Sequence, residues 1–411
     1  MKILYLQAYY TPEIAASLYL TDDIIDGMVK AGHTVDLYVP TPTRGISRDV
    51  RKQYVHRKKE VLYDGKLTVH RVSLYNESMN TVGRMVRYLI MNIQFIFKSL
   101  SSDADILFCE STPPTQGMMA GIIKSIKKMP YVYNLQDIFP DSLVNTGLSV
   151  EDSAAWKIGR IVEDFSYKKA DKIIAISDDF KNNILKKGVP EDKIVVVPNW
   201  GDTQGVTVVE RSENLLFKRY SLDKDLFYIS YSGNIGYTQN MDMLLDCAKK
   251  LRNELPDVRF LLIGDGAAKA DVEKRVQSEN IDNVILLPFQ PYEDIAHVFS
   301  AGDAGLIISK QGVGENSVPS KTWGYMAAQR PILASFDINS DLCRLIDKVG
   351  CGVTCEANDA DAFVNGVKEL YKNRKAYAER GEMGRKYLTE ELDRDKCVGI
   401  YVKTLEDIIK K

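Results

Sequence analysis

The sequence predicts an α/β chain built as two doubly wound parallel-sheet domains, and three observations carry that expectation. Short apolar strands alternate with amphipathic helical segments along 411 residues; the alternation runs in two successive series; and glycine-bearing turns follow strands of the second. Length supports the division, because single cores stop growing near about 300 residues and two domains of about 200 are the natural outcome. With 45% hydrophobic residues the chain is globular, not disordered.

The first series reads KILYL, VDLYVP, ADILFCE, YVYNLQD, DKIIAIS and KIVVVPNW. A loop and a helix around Leu18 to Ala31 follow the first strand. Runs that are apolar on both faces and spaced by crossovers imply strands buried in a parallel sheet. The polar stretch GDTQGVTVVERSEN after Trp200 reads as an interdomain linker. The second series is FYISYSGN, RFLLIGDG, VILLPFQ, DAGLIIS, RPILAS and GCGVTCE, ahead of a final helical stretch of about 376–411. The expected domains are 1–203 and 204–384, with 385–411 packing back on the first, and the two are expected to face each other across a cleft.

Charge narrows the function classes. The net charge of -2 hides an asymmetry, since residues 1–200 carry 26 basic and 23 acidic side chains, and residues 42–100 carry 12 and 4. Such a patch expects an anionic partner. Inside it lies TVGRMVRYLIMNIQFIFKSL, residues 81–100. Two readings stand for it. One is an interfacial helix with Arg84, Arg87 and Lys98 toward lipid phosphates and Tyr88, Phe95 and Phe97 inward; the other is a buried helix packed on the sheet. The N-terminus lacks the features of a signal peptide, and no stretch approaches about 18 uncharged apolar residues, so a cytoplasmic protein is expected, peripherally associated with the inner membrane face. Six cysteines in such a chain argue for reduced thiols, with Cys351 and Cys355 a buried pair at strand ends and not a metal site.

Chemistry is expected at the carboxyl ends of the strands. Gly312 to Ser335 read GVGENSVPSKTWGYMAAQRPILAS. Pro319 suits the first turn of a helix, so Ser320 and Lys321 fall at a helix N-terminus where amides and dipole favour an anion and Lys321 adds a full charge. The alternative is an ordinary helix start with a solvated lysine. Ser232, Gly233, Asn234, Ile235 and Gly236 form a small-residue turn, and Gly264, Asp265 and Gly266 repeat it. Phe289 and Gln290, before Pro291, offer backbone groups to a uracil-like base edge. In the first half the TPEIAAS loop forms a lip, where Glu13 contacts a sugar hydroxyl or favours a helix dipole. Asp137 and Asp141 orient hydroxyls or cap a helix. His33 is expected to be structural.

The segments YSGNIGYTQNMDMLLDCAKKL, FLLIGDG, LLPFQPYEDIAHVFSAGDAGLI and VPSKTWGYMAAQRPILAS resemble the nucleotide-binding domain of GT-B glycosyltransferases of family 4. The subgroup they resemble is the bacterial N-acetyl-L-fucosamine and related amino-sugar transferases of O-antigen and capsule synthesis. MKILYLQAYYTPE, KAGHTVDLYVP, YNLQDIFPDS and ISDDFKNNILKKGVPEDKIVVVPNWGD extend the resemblance over nearly the whole chain. It implies two Rossmann-like domains and retaining transfer of a sugar from a nucleotide diphosphate, with neither metal nor cofactor. Physically, the leaving diphosphate needs charge stabilisation, which Lys321, dipole and amides can supply. No carboxylate pair at evident glycosidase spacing stands out.

Departures from the family pattern are specific. The two glutamates many members carry fall at Asn316 and Gly324, with Glu315 one residue off, so ribose is left to backbone, to Tyr325 or to another side chain. The Arg and Lys that often meet the diphosphate are Asn234 and Gln239 here. Gln136 stands where many relatives have His, leaving Asp137 the nearest ionisable group. Under the resemblance Lys321 and Asp137 are the catalytic candidates. Gly233, Asn234, Gly236, Gly264, Gly266, Phe289, Gln290, Glu315, Asn316, Ser317, Pro319, Ser320, Tyr325, Glu13 and Gln136 are the substrate-binding ones. The implied partners are a UDP-sugar, a polyprenyl-diphosphate-linked saccharide and an anionic inner membrane, without nucleic acid. A nucleotide-sugar 2-epimerase and a non-catalytic binding subunit remain as alternatives.

Overall fold

The computed structural model describes residues 1–13, 18–77, 81–145, 149–314 and 318–410. The chain forms two compact units, one of residues 1–199 with 394–411 and the other of residues 200–393.

In the first unit, eight strands form one sheet in the order β3-β4-β2-β1-β5-β6-β7-β8. They are β1 (Lys2–Leu6), β2 (Thr34–Pro40), β3 (Lys59–Leu62), β4 (Leu67–Val72), β5 (Ile106–Glu110), β6 (Tyr131–Leu135), β7 (Lys172–Ala175) and β8 (Ile194–Val196). All pairings are parallel except β3 with β4. That antiparallel edge hairpin is absent from the expectation. It turns at Asp64 and Gly65, both at positive φ, and an Asp-Gly between alternating runs is the signal that could have found it. Central strands such as β1 and β5 are buried on both faces because helices cover each side. The helices Thr81–Leu100, Thr115–Lys127 and Ala154–Lys169 lie side by side. Helix Leu18–Lys30 packs instead with the returning helix Arg394–Ile409. Arg394 ties that return to Asp23 and Asp26, and His33 Nε2 lies 3.0 Å from Glu406 Oε1.

In the second unit, six strands are all parallel in the order β11-β10-β9-β12-β13-β14. They are β9 (Phe227–Asn234), β10 (Val258–Asp265), β11 (Val284–Leu287), β12 (Ala304–Ile308), β13 (Ile332–Phe336) and β14 (Gly352–Glu356). Chain order reverses between β9 and β12. Those two strands share only the Ile229–Ala304 and Ser230–Gly305 steps, whereas β9 continues to Asn234. Their carboxyl ends therefore part, which opens the crevice that a doubly wound sheet offers a ligand.

Two boundary expectations need correction. The stretch after Trp200 is not a free linker: Val206 is buried, Arg385 donates to its carbonyl, and Val209 N–H donates to Ser300 Oγ. Apolar residues inside a polar run gave it a place to pack. The segment that returns to the first unit starts at Arg394, because helix Arg374–Glu390 packs in the second through Leu388.

Candidate functional site

The crevice of the second unit is built by close backbone approach. Gly233 and Gly264 pair across β9 and β10, and Asn234 pairs with Asp265. A Cβ on Gly264 would stand 1.9 Å from the Gly233 carbonyl oxygen, and one on Gly266 would stand 2.4 Å from that of Ile235. Only glycine fits either position. Gly233 has φ 130°, so it too is held in backbone that favours glycine.

Lys321 reaches this edge. Its Nζ lies 3.7 Å from the centroid of the Tyr231 ring, and its Cε and Nζ would stand 3.6 Å from a Cβ on Gly233. Among the described residues no acceptor or carboxylate pairs with the ammonium. Burial alone pushes its pKa down to about 7. A lysine with no acceptor among the described residues, at a glycine-lined crevice, has the chemistry to receive an anion, and the Tyr231 ring supports the cation without one. The sequence reading missed Tyr231; two residues before Gly233 on one strand, it shares that glycine's side of the sheet.

The charge is Lys321's own more than the dipole's. Helix Lys321–Ala327 has only 7 residues, and the N–H groups of Thr322 and Trp323 bond back to the carbonyls of Pro319 and Ser320. Ser320 is exposed and Pro319 half-buried just ahead of the helix. Asn234 is exposed at the crevice, whereas Gly236 N–H is taken by Gln239 Oε1 at 3.0 Å, which closes the turn on itself. Phe289 is exposed after β11, next to β10. The Gln290 side chain is committed elsewhere: its Oε1 accepts from Arg219 at 2.7 Å and its Nε2 donates to Tyr220 and the Pro288 carbonyl. Glu315, Asn316 and Ser317 lie outside the described residues.

Tyr325 does not reach a ribose. It is fully buried, its hydroxyl donates to the Ser230 carbonyl at 2.6 Å, and its ring packs against Gly305 and Phe299. Gly324 is equally enclosed, since a Cβ there would stand 2.3 Å from the Phe299 ring. A glutamate therefore has no room at that place unless the Phe299 ring moves.

In the first unit, Gln136 and Asp137 follow β6 at its carboxyl end. Their N–H groups both donate to Ser111 Oγ. Gln136 and Asn199 exchange amide hydrogen bonds, 2.9 Å and 3.3 Å, so Asn199 fixes the glutamine's orientation. Asp137 accepts from Ser142 Oγ, and burial raises its pKa. Asp141 is held by Lys187 and Asn183. Glu13 touches no open space: its carboxylate accepts from the N–H groups of Tyr10, Thr43 and Arg44 and pins two loops together. That leaves the carboxylate fully engaged by three backbone donors and unavailable to a sugar hydroxyl, while the helix start it is expected to favour lies outside the described residues. Arg87 is also a correction, being fully buried with its Nε donating to the Tyr75 carbonyl, as is Phe95. Tyr88 hydrogen-bonds Tyr9 at 2.7 Å. Arg84 is exposed.

All six cysteines are free and buried, and no cluster of metal-ligating side chains occurs among the described residues.

Comparison with known proteins now gives the class. Residues 20–200 match the family described as Glycosyl transferase 4-like domain, and residues 212–387 match Glycosyl transferases group 1. The first unit thus carries the 4-like domain match and the second the group 1 match, which makes the chain similar to glycosyltransferases over most of its length, and its fold is GT-B. Among its relatives is the putative colanic acid biosynthesis glycosyl transferase WcaI of Escherichia coli, 23% identical with 98% of this chain and all of the relative covered. Another, at 25% identity over 50% of this chain and 52% of the relative, is an E. coli UDP-Gal:α-D-GlcNAc-diphosphoundecaprenol α-1,3-galactosyltransferase. HepE of Anabaena in complex with UDP superposes with a TM-score of 0.73 at 15% identity, covering 99% of this chain and 100% of that one.

The lowered lysine pKa would make binding of a diphosphate at this crevice proton-linked. Below about pH 7 the ammonium is charged with or without ligand, so affinity is flat; above it the free lysine is neutral and must take up a proton to meet a diphosphate. Titration of a UDP-sugar at about pH 8 in buffers of different ionisation enthalpy is expected to show nearly one proton taken up per donor. Heats independent of buffer would refute the linkage.

Proposed function

We propose that this glycosyltransferase moves a sugar, an N-acetylated or deoxy amino sugar, from a UDP-sugar to a saccharide on a polyprenyl diphosphate, with anomeric configuration retained and without a bound metal. The observation that carries the reading is the Lys321 ammonium over Tyr231 at the edge of Gly233, with no acceptor for it among the described residues. As the anomeric C–O bond breaks, its electron pair passes to the β-phosphate oxygen, and Lys321 stabilises the charge that develops there. The acceptor hydroxyl attacks the oxocarbenium-like centre from the face the diphosphate leaves, and its proton passes to the departing phosphate. No protein nucleophile is required. Asp137 and Gln136, after β6, are the groups offered to orient the acceptor.

Nothing in the histidines favours an epimerase. His33 is bound to Glu406, His70 to Asp36, and His297 accepts from Leu215 N–H, while His56 ends the solvent-facing helix Arg48–His56. The deciding experiment incubates the enzyme with a panel of UDP-sugars and a synthetic lipid-linked acceptor, followed by mass spectrometry of products. A mass increment of one glycosyl unit from one donor is expected. Epimer formation from UDP-N-acetylglucosamine alone, or donor binding without any product, would replace this reading by one of its rivals.

A further inference from the structure

Helix Thr81–Leu100 is apolar on two opposite faces, and only one of them is covered. Met91 and Phe95 are buried, whereas Val82, Met85, Leu89 and Phe97 stand 65, 65, 59 and 69% exposed along the outward stripe. The neighbouring helix Thr115–Lys127 adds a partly exposed Met118, and beyond it helix Ala154–Lys169 exposes Ile158 and Ile161 by 63 and 68%. A surface of this kind on adjacent helices marks a docking site. No described helix is long and apolar enough to cross a membrane.

Charge selects the occupant. The first two helices carry no Asp or Glu and five Lys or Arg residues, of which Arg87 is buried and Lys124 is paired with Asp171, leaving Arg84, Lys98 and Lys127 as the basic groups of this face. On the third, Arg160 is already paired with Glu163 and Asp164. A second copy meeting this face isologously would set basic groups against basic groups, whereas an anionic leaflet neutralises them while apolar side chains enter its interface.

Topology then orients the protein. The three helices follow β4, β5 and β6, which run in parallel, so each begins at the carboxyl edge of the first sheet. Gln136 and Asp137 follow β6 at the same edge.

We propose that the outward faces of Thr81–Leu100, Thr115–Lys127 and Ala154–Lys169 lie on an anionic lipid leaflet, with Val82, Met85, Leu89 and Phe97 inserted and the acceptor-side turn held at the lipid surface. Docking stands by itself. The consequence that a lipid-linked acceptor reaches Gln136 and Asp137 without its chain leaving the leaflet rests on the function proposed above. It also replaces Arg87, which is buried, by the exposed apolar stripe as the membrane contact.

Flotation with phosphatidylethanolamine–phosphatidylglycerol vesicles tests it. The Met85→Asp/Leu89→Asp variant is expected to partition about tenfold less than the parent, while melting normally because both side chains are exposed. It should keep turnover on a water-soluble acceptor and lose it on a vesicle-embedded one. Leu89→Trp, which keeps the face apolar, should show blue-shifted emission with these vesicles and less with phosphatidylcholine alone. Unchanged flotation, an unshifted tryptophan, or a concentration-dependent dimer that the double variant dissociates would overturn the proposal. If no acceptor of either kind is glycosylated while flotation behaves as stated, the docking face stands and the transfer reading fails.

Discussion

Lys321→Met is expected to lower turnover with a UDP-sugar by about 100-fold or more while raising the melting temperature of the ligand-free protein. The two effects share one cause. Burial against Tyr231 holds the folded-state pKa near 7, below the unfolded value of about 10.4. A group whose pKa is lowered on folding costs stability in full below pH 7, and the cost fades as pH rises toward the unfolded value. Methionine keeps the unbranched stem over the ring and removes the charge, so the variant recovers stability near neutral pH. Turnover falls because the departing diphosphate loses the one full positive charge that the described crevice provides. The loss should appear in both KM and kcat, since the ammonium meets the diphosphate on binding and the charge on the bridging oxygen grows further toward the transition state. Near-normal kcat would reject the role, and an unchanged or lower melting temperature would show that the lysine is solvated in the free protein.

What the sequence disclosed follows from what periodicity can and cannot report. Apolar runs such as KILYL and FLLI identify buried parallel strands because both faces need covering, and the glycine turns fall where backbones must touch. Side-chain roles were less legible, because they depend on partners distant in sequence. Tyr325 looks like a ribose ligand in a one-dimensional motif, yet its hydroxyl is claimed by Ser230, 95 residues earlier. Glu13 looks like a cleft acid until Thr43 and Arg44 supply its donors. Arg84 and Arg87 share a basic stretch and neighbouring positions on the helix, but the Arg87 guanidinium is claimed by the Tyr75 carbonyl and buried, and only Arg84 remains exposed. The outward stripe beside them was hidden for the same reason. A helix that is apolar all round reads as buried or interfacial from sequence, and only the packing of its neighbours says which face is bare.

Gly264→Ala is expected to cost about 3 kcal/mol or more of folding stability and to weaken donor binding together with it. Its Cβ would meet the Gly233 carbonyl oxygen at 1.9 Å, a backbone atom that cannot rotate away. Relief requires β9 and β10 to part at the Gly233–Gly264 step, which is also the step beside Lys321. Distortion there moves the crevice wall, so folding and ligand binding fail through one displacement. Gly188→Ala separates this from the general cost of removing a glycine. Gly188 has φ 84° with nothing within 4 Å of an added Cβ, so only backbone conformation opposes the change, by about 1 kcal/mol. Urea denaturation of both variants and calorimetric titration with UDP measure the contrast. Comparable losses of stability at the two positions, or a Gly264→Ala protein that binds UDP like the parent, would mean that the strand ends are looser than the 1.9 Å approach requires.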